Sequence, residues 1–164
     1  MNPSPGQFYV VRTSGPVAWL IRRVTRSAFN HAGLVAGNHG AIIEAEAGGV
    51  YRAYLAKYAG ERLAVSQMPL SQPEREWIVC KANECIGRRY NWLDLLALGL
   101  LQFGVRPRFL RRVVEYQNRL VCSELVALCY LAAGIRLSRD PEMDLDVTPG
   151  TLAKLIEKET RCSH

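Results

Sequence analysis

Ala32-Gly33-Leu34-Val35-Ala36-Gly37-Asn38-His39-Gly40-Ala41-Ile42-Ile43-Glu44-Ala45 reads as two short strands around a turn. Each arm is a run of small and β-branched residues, and Gly37-Asn38-His39-Gly40 between them supplies residues that tolerate a reversal of the backbone. In such a hairpin the turn decides which residues face each other. With Gly37-Asn38 as the turn, Glu44 stands across from His31; with Asn38-His39, Glu46 takes that place. Both glutamates share the face of His31, because strand side chains alternate. A carboxylate flanked by Ile42, Ile43 and Ala45 belongs to a mostly buried strand, and a buried carboxylate needs a partner.

Outward from this hairpin, Phe8-Tyr9-Val10-Val11-Arg12-Thr13 and Leu63-Ala64-Val65-Ser66-Gln67-Met68 read as further strands, with a helix from Val17 to Ser27 before the hairpin. Beyond Pro69 the period becomes helical. Ser71 as N-cap, Pro73 in the first turn and Glu74 three residues on form a capping box for a helix over 72–86, stopped by Gly87. Further helices are predicted at 91–103, 108–117 and 121–133, and at 149–158 after Thr148. The class is α+β, an antiparallel sheet packed against helices, in one domain over 1–164.

Composition narrows the partners. The chain has 164 residues, 49% of them hydrophobic and 22% charged, which excludes disorder and fibrous repeats. Its net charge of +6 favours anionic surfaces. The arginines fall in short groups (Arg22, Arg23 and Arg26; Arg88 and Arg89; Arg106, Arg108, Arg111 and Arg112) without an aromatic ladder, so no nucleic-acid partner is expected. Five cysteines, an odd number with no Cys/His spacing of a zinc site, predict reduced thiols and neither metal nor other cofactor. The opening residues form neither the basic nor the apolar region of an export signal, which predicts a cytoplasmic protein. The apolar stretch from Trp92 to Gly104 is shorter than the roughly 20 residues that cross a bilayer.

Cys122 stands where a short apolar approach enters a helix. A thiol in the first turn lies near unpaired backbone N–H groups and the positive end of the helix dipole, surroundings that favour a thiolate and can hold an oxyanion. Its spacing with Leu125 and Cys129 is equally that of a core stripe. Cys80, Cys85, Cys129 and Cys162 read as core or incidental. Of three histidines, His164 is terminal and His39 sits in the hairpin turn; His31, at the mouth of a strand, is the candidate base.

The order Pro5-Gly6-Gln7-Phe8-Tyr9-Val10-Val11-Arg12, Phe29-Asn30-His31-Ala32-Gly33-Leu34-Val35, Ile43-Glu44-Ala45 and Val121-Cys122-Ser123-Glu124-Leu125-Val126 resembles the permuted NlpC-type cysteine hydrolases, the YiiX-like branch of the papain-like superfamily. The resemblance runs from about residue 5 to Thr148-Pro149. It implies a papain-like fold in which the histidine strand precedes the cysteine helix, with Cys122 as nucleophile, His31 as general base and Glu44 as orienting residue. Gly87-Arg88-Arg89-Tyr90-Asn91-Trp92 is similar to the family's Gly-x-x-Tyr-Asp segment and would bring Tyr90 to the cleft as a substrate-binding residue. Gln7 and Asn91 replace aspartates of the family pattern; the first affects a turn, the second bears on substrate recognition.

Three functions follow as expectations. The first is a cysteine peptidase or amidase that cleaves a peptide or amide bond, of cell-wall type by the resemblance, through a thioester acyl-enzyme. The second keeps the chemistry and changes the acceptor. Lecithin:retinol acyltransferase-like proteins share the order of histidine strand and cysteine helix, and the Trp92–Gly104 stretch with its arginine flank would lie on an anionic membrane. The third is an inactive binding module with Cys122 as core.

Overall fold

The computed structural model describes residues 3–46, 48–90, 119–120, 122–138 and 147–162. Five strands form one antiparallel sheet: β1 (Phe8–Arg12), β2 (His31–Val35), β3 (Ala41–Glu46), β4 (Gly49–Tyr54) and β5 (Arg62–Val65), in the order β4-β3-β2-β1-β5. A two-residue parallel pair, β6 (Arg89–Tyr90) and β7 (Arg119–Leu120), adjoins the β4 edge, where Val50 N–H donates to the Arg88 carbonyl. Among the described residues the helices are α1 (Pro16–Thr25), α2 (Gln72–Glu84), α3 (Cys122–Ala132) and α4 (Pro149–Cys162).

Strand alternation sorts the side chains into two layers. Phe8, Val10, Ala32, Leu34, Ile43 and Ala45 face the main core, where α2, α3 and α4 supply Ile78, Leu125, Tyr130 and Leu152. The opposite face carries a smaller cluster of Tyr9, Val11 and Ile42, closed by Tyr58 from the single turn Leu55–Tyr58. Burying these branched and aromatic side chains, at about 25 cal/mol per Å² of apolar surface, drives the packing.

The local signals act as their chemistry dictates. Ser71 and Glu74 form the reciprocal capping box, and α2 ends ahead of Gly87, whose φ of +86° is open to glycine. Thr148 caps α4 by accepting from Thr151 N–H at 3.1 Å, and α4 runs on past residue 158 to Cys162. Gln7 closes a turn, its Oε1 accepting from Ser4 N–H at 2.7 Å.

Three features depart from the expectation. β4 is an additional strand, opened by Gly49 after Gly48 and half exposed, so it lacks the apolar run that marks a strand in sequence. α1 stops at Thr25, because Arg26 turns left-handed at φ +48°. The hairpin connection is a single helical turn, Asn38–Gly40, and it sets Val35 opposite Ile42 and Gly33 opposite Glu44. That is the register which runs Glu46 in line with His31, so the two-residue Gly37-Asn38 turn is corrected. The helices expected at 91–103 and 108–117 lie outside the described residues.

Candidate active site

β2 begins at His31, and β3 carries Glu44 and Glu46 on the same face. Although Glu44 sits opposite Gly33, its Oε2 lies 3.0 Å from His31 Nε2, whereas the nearest Glu46 oxygen is 3.9 Å away. Diagonal neighbours across two strands meet when the intervening position is small, and Gly33 is the smallest. A Cβ on Gly33 would stand 2.5 Å from Tyr9 Oη and 2.7 Å from its Cζ, so the tyrosine ring occupies the space that any side chain there would need. Tyr9, opposite Gly33 on β1, thereby brings its hydroxyl to Glu44 Oε2 at 2.7 Å.

Glu44 is fully buried and its carboxylate is saturated. Oε2 accepts from Tyr9, from Tyr58 at 2.5 Å and from His31, and Oε1 accepts from Lys57 Nζ at 2.5 Å. Burial pulls the carboxyl upward, and the hydrogen bonds from His31, Lys57, Tyr58 and Tyr9 more than reverse this, holding it well below the usual carboxylate range. Glu46, partly exposed, accepts from Tyr51 at 2.5 Å and from Lys57 at 3.0 Å.

Cys122 is the first residue of α3 and is buried. Helix α3 packs on β2 and β3, sending Leu125, Cys129 and Tyr130 into the main core, while Cys122 at its start hydrogen-bonds to His31. The apolar stripe and the contact with His31 therefore lie at successive turns of one helix. With Nε2 engaged by Glu44, Nδ1 is the ring nitrogen left for the sulfur. Burial pulls the imidazole downward, yet the bonds to Cys122 and Glu44 outweigh it and push His31 up to about 10. These two bonds therefore favour the protonated ring.

Cys122, His31 and Glu44 come together as one chain of contacts. Tyr90 pairs through its backbone with Leu120, two residues before Cys122, and its side chain lies outside the described residues. Tyr9, Lys57 and Tyr58 escaped the sequence reading. Tyr9 had a signal, an aromatic on a strand neighbouring a glycine-bearing one; Lys57 and Tyr58 sit in an irregular turn and had none. Among the described residues the free cysteines are Cys80, Cys85, Cys122 and Cys129; Cys85 and Cys129 hydrogen-bond to each other inside the core, and Cys80 is exposed.

No protein-family model and no curated protein matches the chain. Among solved structures it is similar to the crystal structure of metalloprotein YiiX from Escherichia coli O157:H7, a DUF1105 protein, with a TM-score of 0.61 and 19% identity over 96% of this chain and 83% of that one. At this identity the likeness is one of fold.

Proposed function

We propose that the protein is a papain-like, permuted NlpC-type cysteine hydrolase that cleaves an amide or peptide bond. The observation that carries this reading is the His31 imidazole held between Cys122 and a buried, saturated Glu44. In this scheme the Cys122 proton already rests on His31, in a thiolate–imidazolium pair that Glu44 stabilises; the sulfur attacks the carbonyl carbon, and N–H groups at the start of α3 support the oxyanion. The imidazolium then gives its proton to the leaving amine, and water resolves the thioester with His31 again as base.

A metal does not fit this site. The YiiX neighbour is a metalloprotein by name. In this chain His31, Glu44 and Glu46 offer ligand atoms within 4.8 Å of one another. The Lys57 ammonium already bridges the two carboxylates, at 2.5 Å and 3.0 Å, and His31 Nε2 is committed to Glu44. A divalent ion would have to expel one positive charge and break the bond that orients the base. The hydrolytic steps therefore run through side chains.

Iodoacetamide labelling of Cys122, resolved by peptide mass spectrometry because Cys80 is exposed and competes for the reagent, tests the pair. The parent is expected to label faster than His31→Ala near neutral pH, and equal rates would remove the base from the scheme. Trapping with a peptidyl thiol-directed acyl mimic then reports the substrate class. Hydrolysis retained by Cys122→Ala would assign the activity elsewhere and leave Cys122 as core.

A further inference from the structure

Helix α1 is amphipathic by sequence and half-buries part of its apolar side, Leu20 and Ile21, while leaving Val17 and Trp19 exposed. Val17, Leu20 and Ile21 fall within an arc of about 100° on one face of Pro16–Thr25. The residue sealed against the body is Ala18, 6% exposed, on another face, whereas Val17 is 60% and Trp19 58% exposed. What ties the helix down is polar: Arg22 Nη1 donates to the Thr13 carbonyl at 2.5 Å and to Asn30 Oδ1 at 3.0 Å. Among the described residues none of α1 belongs to the small cluster, and only Ala18 is fully withdrawn from water.

The surroundings are basic. No acidic residue precedes Glu44 in the chain, while Arg12, Arg22, Arg23 and Arg26 all do. Arg12, Trp19, Arg22, Arg23, Ser27 and Ala28 line a cleft of about 330 Å³, so three guanidinium groups, a hydroxyl and an indole edge share one opening. An arginine fork matches phosphate oxygens, and an exposed indole beside it suits the boundary between headgroup and acyl chain.

We infer that α1 and the Arg12 cleft form a docking surface for an anionic phospholipid bilayer, the cleft receiving a headgroup phosphate while Trp19, on its rim, enters the interface. Charge complementarity and the exposed Trp19 indole on the cleft's rim are what commit the surface to lipid: an anionic solute would use the arginines and leave Trp19 idle. The inference is independent of the hydrolase reading, since no residue of the Cys122–His31–Glu44 chain takes part. It does orient the molecule. Val11 pairs with His31, and Asn30, which holds Arg22, precedes it, so the docked face lies at the His31 end of the sheet.

The purified full chain is sedimented with vesicles of phosphatidylglycerol and phosphatidylcholine, and with phosphatidylcholine vesicles alone. Pelleting is expected with the anionic vesicles only, fading as salt rises. Each basic side chain near such a surface is worth about fivefold in partitioning, so Arg23→Glu/Arg26→Glu is expected to lower binding by more than about 20-fold. Trp19→Ala is expected to lower it by about tenfold. These positions are exposed, and unchanged melting temperatures confirm folding. Absence of pelleting overturns the proposal, as does equal pelleting on phosphatidylcholine or binding undiminished in both variants. Glycerol phosphate protecting the cleft while vesicles fail would assign the arginines to a soluble phosphate ligand instead.

Discussion

Glu44 pairs in register with Gly33, and yet its Oε2 lies 3.0 Å from Nε2 of His31, the residue two places before Gly33 on the same strand. The diagonal contact exists because glycine leaves its position to the ring of Tyr9, whose hydroxyl pins the same carboxylate oxygen. One missing side chain thus decides which of two glutamates lies against the histidine.

Gly33→Ala is accordingly expected to destabilise the fold by about 1–3 kcal/mol, the usual cost of overpacking, as read by chemical denaturation. Tyr9→Phe added to it is expected to give no relief, because the ring carbons at 2.7 and 2.8 Å clash as the oxygen does. A double variant as stable as the parent would show that the ring is not what fills the space.

Glu44→Gln and Glu46→Gln separate the two carboxylates. A glutamine at 44 presents a neutral acceptor or a competing N–H to Nε2, so Cys122 alkylation and hydrolysis are expected to fall on the order of 100-fold or more. Glu46→Gln, whose nearest oxygen is 3.9 Å from the ring, is expected to leave both nearly unchanged. The opposite ranking would give Glu46 the orienting role that the register alone assigns it.

The titrations carry a signed dependence of stability on pH. His31 is raised from 6.5 to about 10, so its contribution is complete below pH 6.5 and is lost as pH rises through about 10. Glu44 is lowered from 4.5, so its contribution is complete above pH 4.5 and is lost as pH falls through its depressed value. Both are fully present between pH 4.5 and 6.5. Denaturation there is expected to show Glu44→Gln about 3–5 kcal/mol less stable than the parent, the cost of breaking a buried pair. A His31→Ala deficit that stays constant from pH 6 to pH 10 would contradict the imidazolium.

Lys57 supplies the positive charge that the carboxylate pair requires. Chelators are therefore expected to leave Cys122-dependent hydrolysis unchanged, and calorimetry with Mn²⁺, an ion suited to imidazole and carboxylate ligands, is expected to show no binding to the parent. Lys57→Ala leaves Glu44 and Glu46 without their ammonium and is expected to gain Mn²⁺ affinity. Tight Mn²⁺ binding by the parent would mean that the lysine yields its place.

Much of the site was legible before any coordinates. Cys122 was marked by its place at a helix start, His31 by its place at a strand mouth, and Glu44 by a charge set among Ile42, Ile43 and Ala45. The register was not legible, because a single helical turn at Asn38–Gly40 reverses the chain where a two-residue turn fits the same letters equally well. The partners of Glu44 were hidden for a related reason. Lys57 and Tyr58 come from the turn Leu55–Tyr58, whose residues have no period to betray which way they point.

Sequence by itself determined the α+β class, the antiparallel hairpin and the order of histidine strand before cysteine helix, since alternation, capping and helix entry are properties of neighbours along the chain. Tertiary structure alone decided that the diagonal glutamate meets His31, that an ammonium completes the carboxylate, and that α1 leaves Trp19 exposed beside the Arg12 cleft. Those outcomes depend on which groups, distant in sequence, compete for one volume, and that competition is resolved only when strands and helices pack.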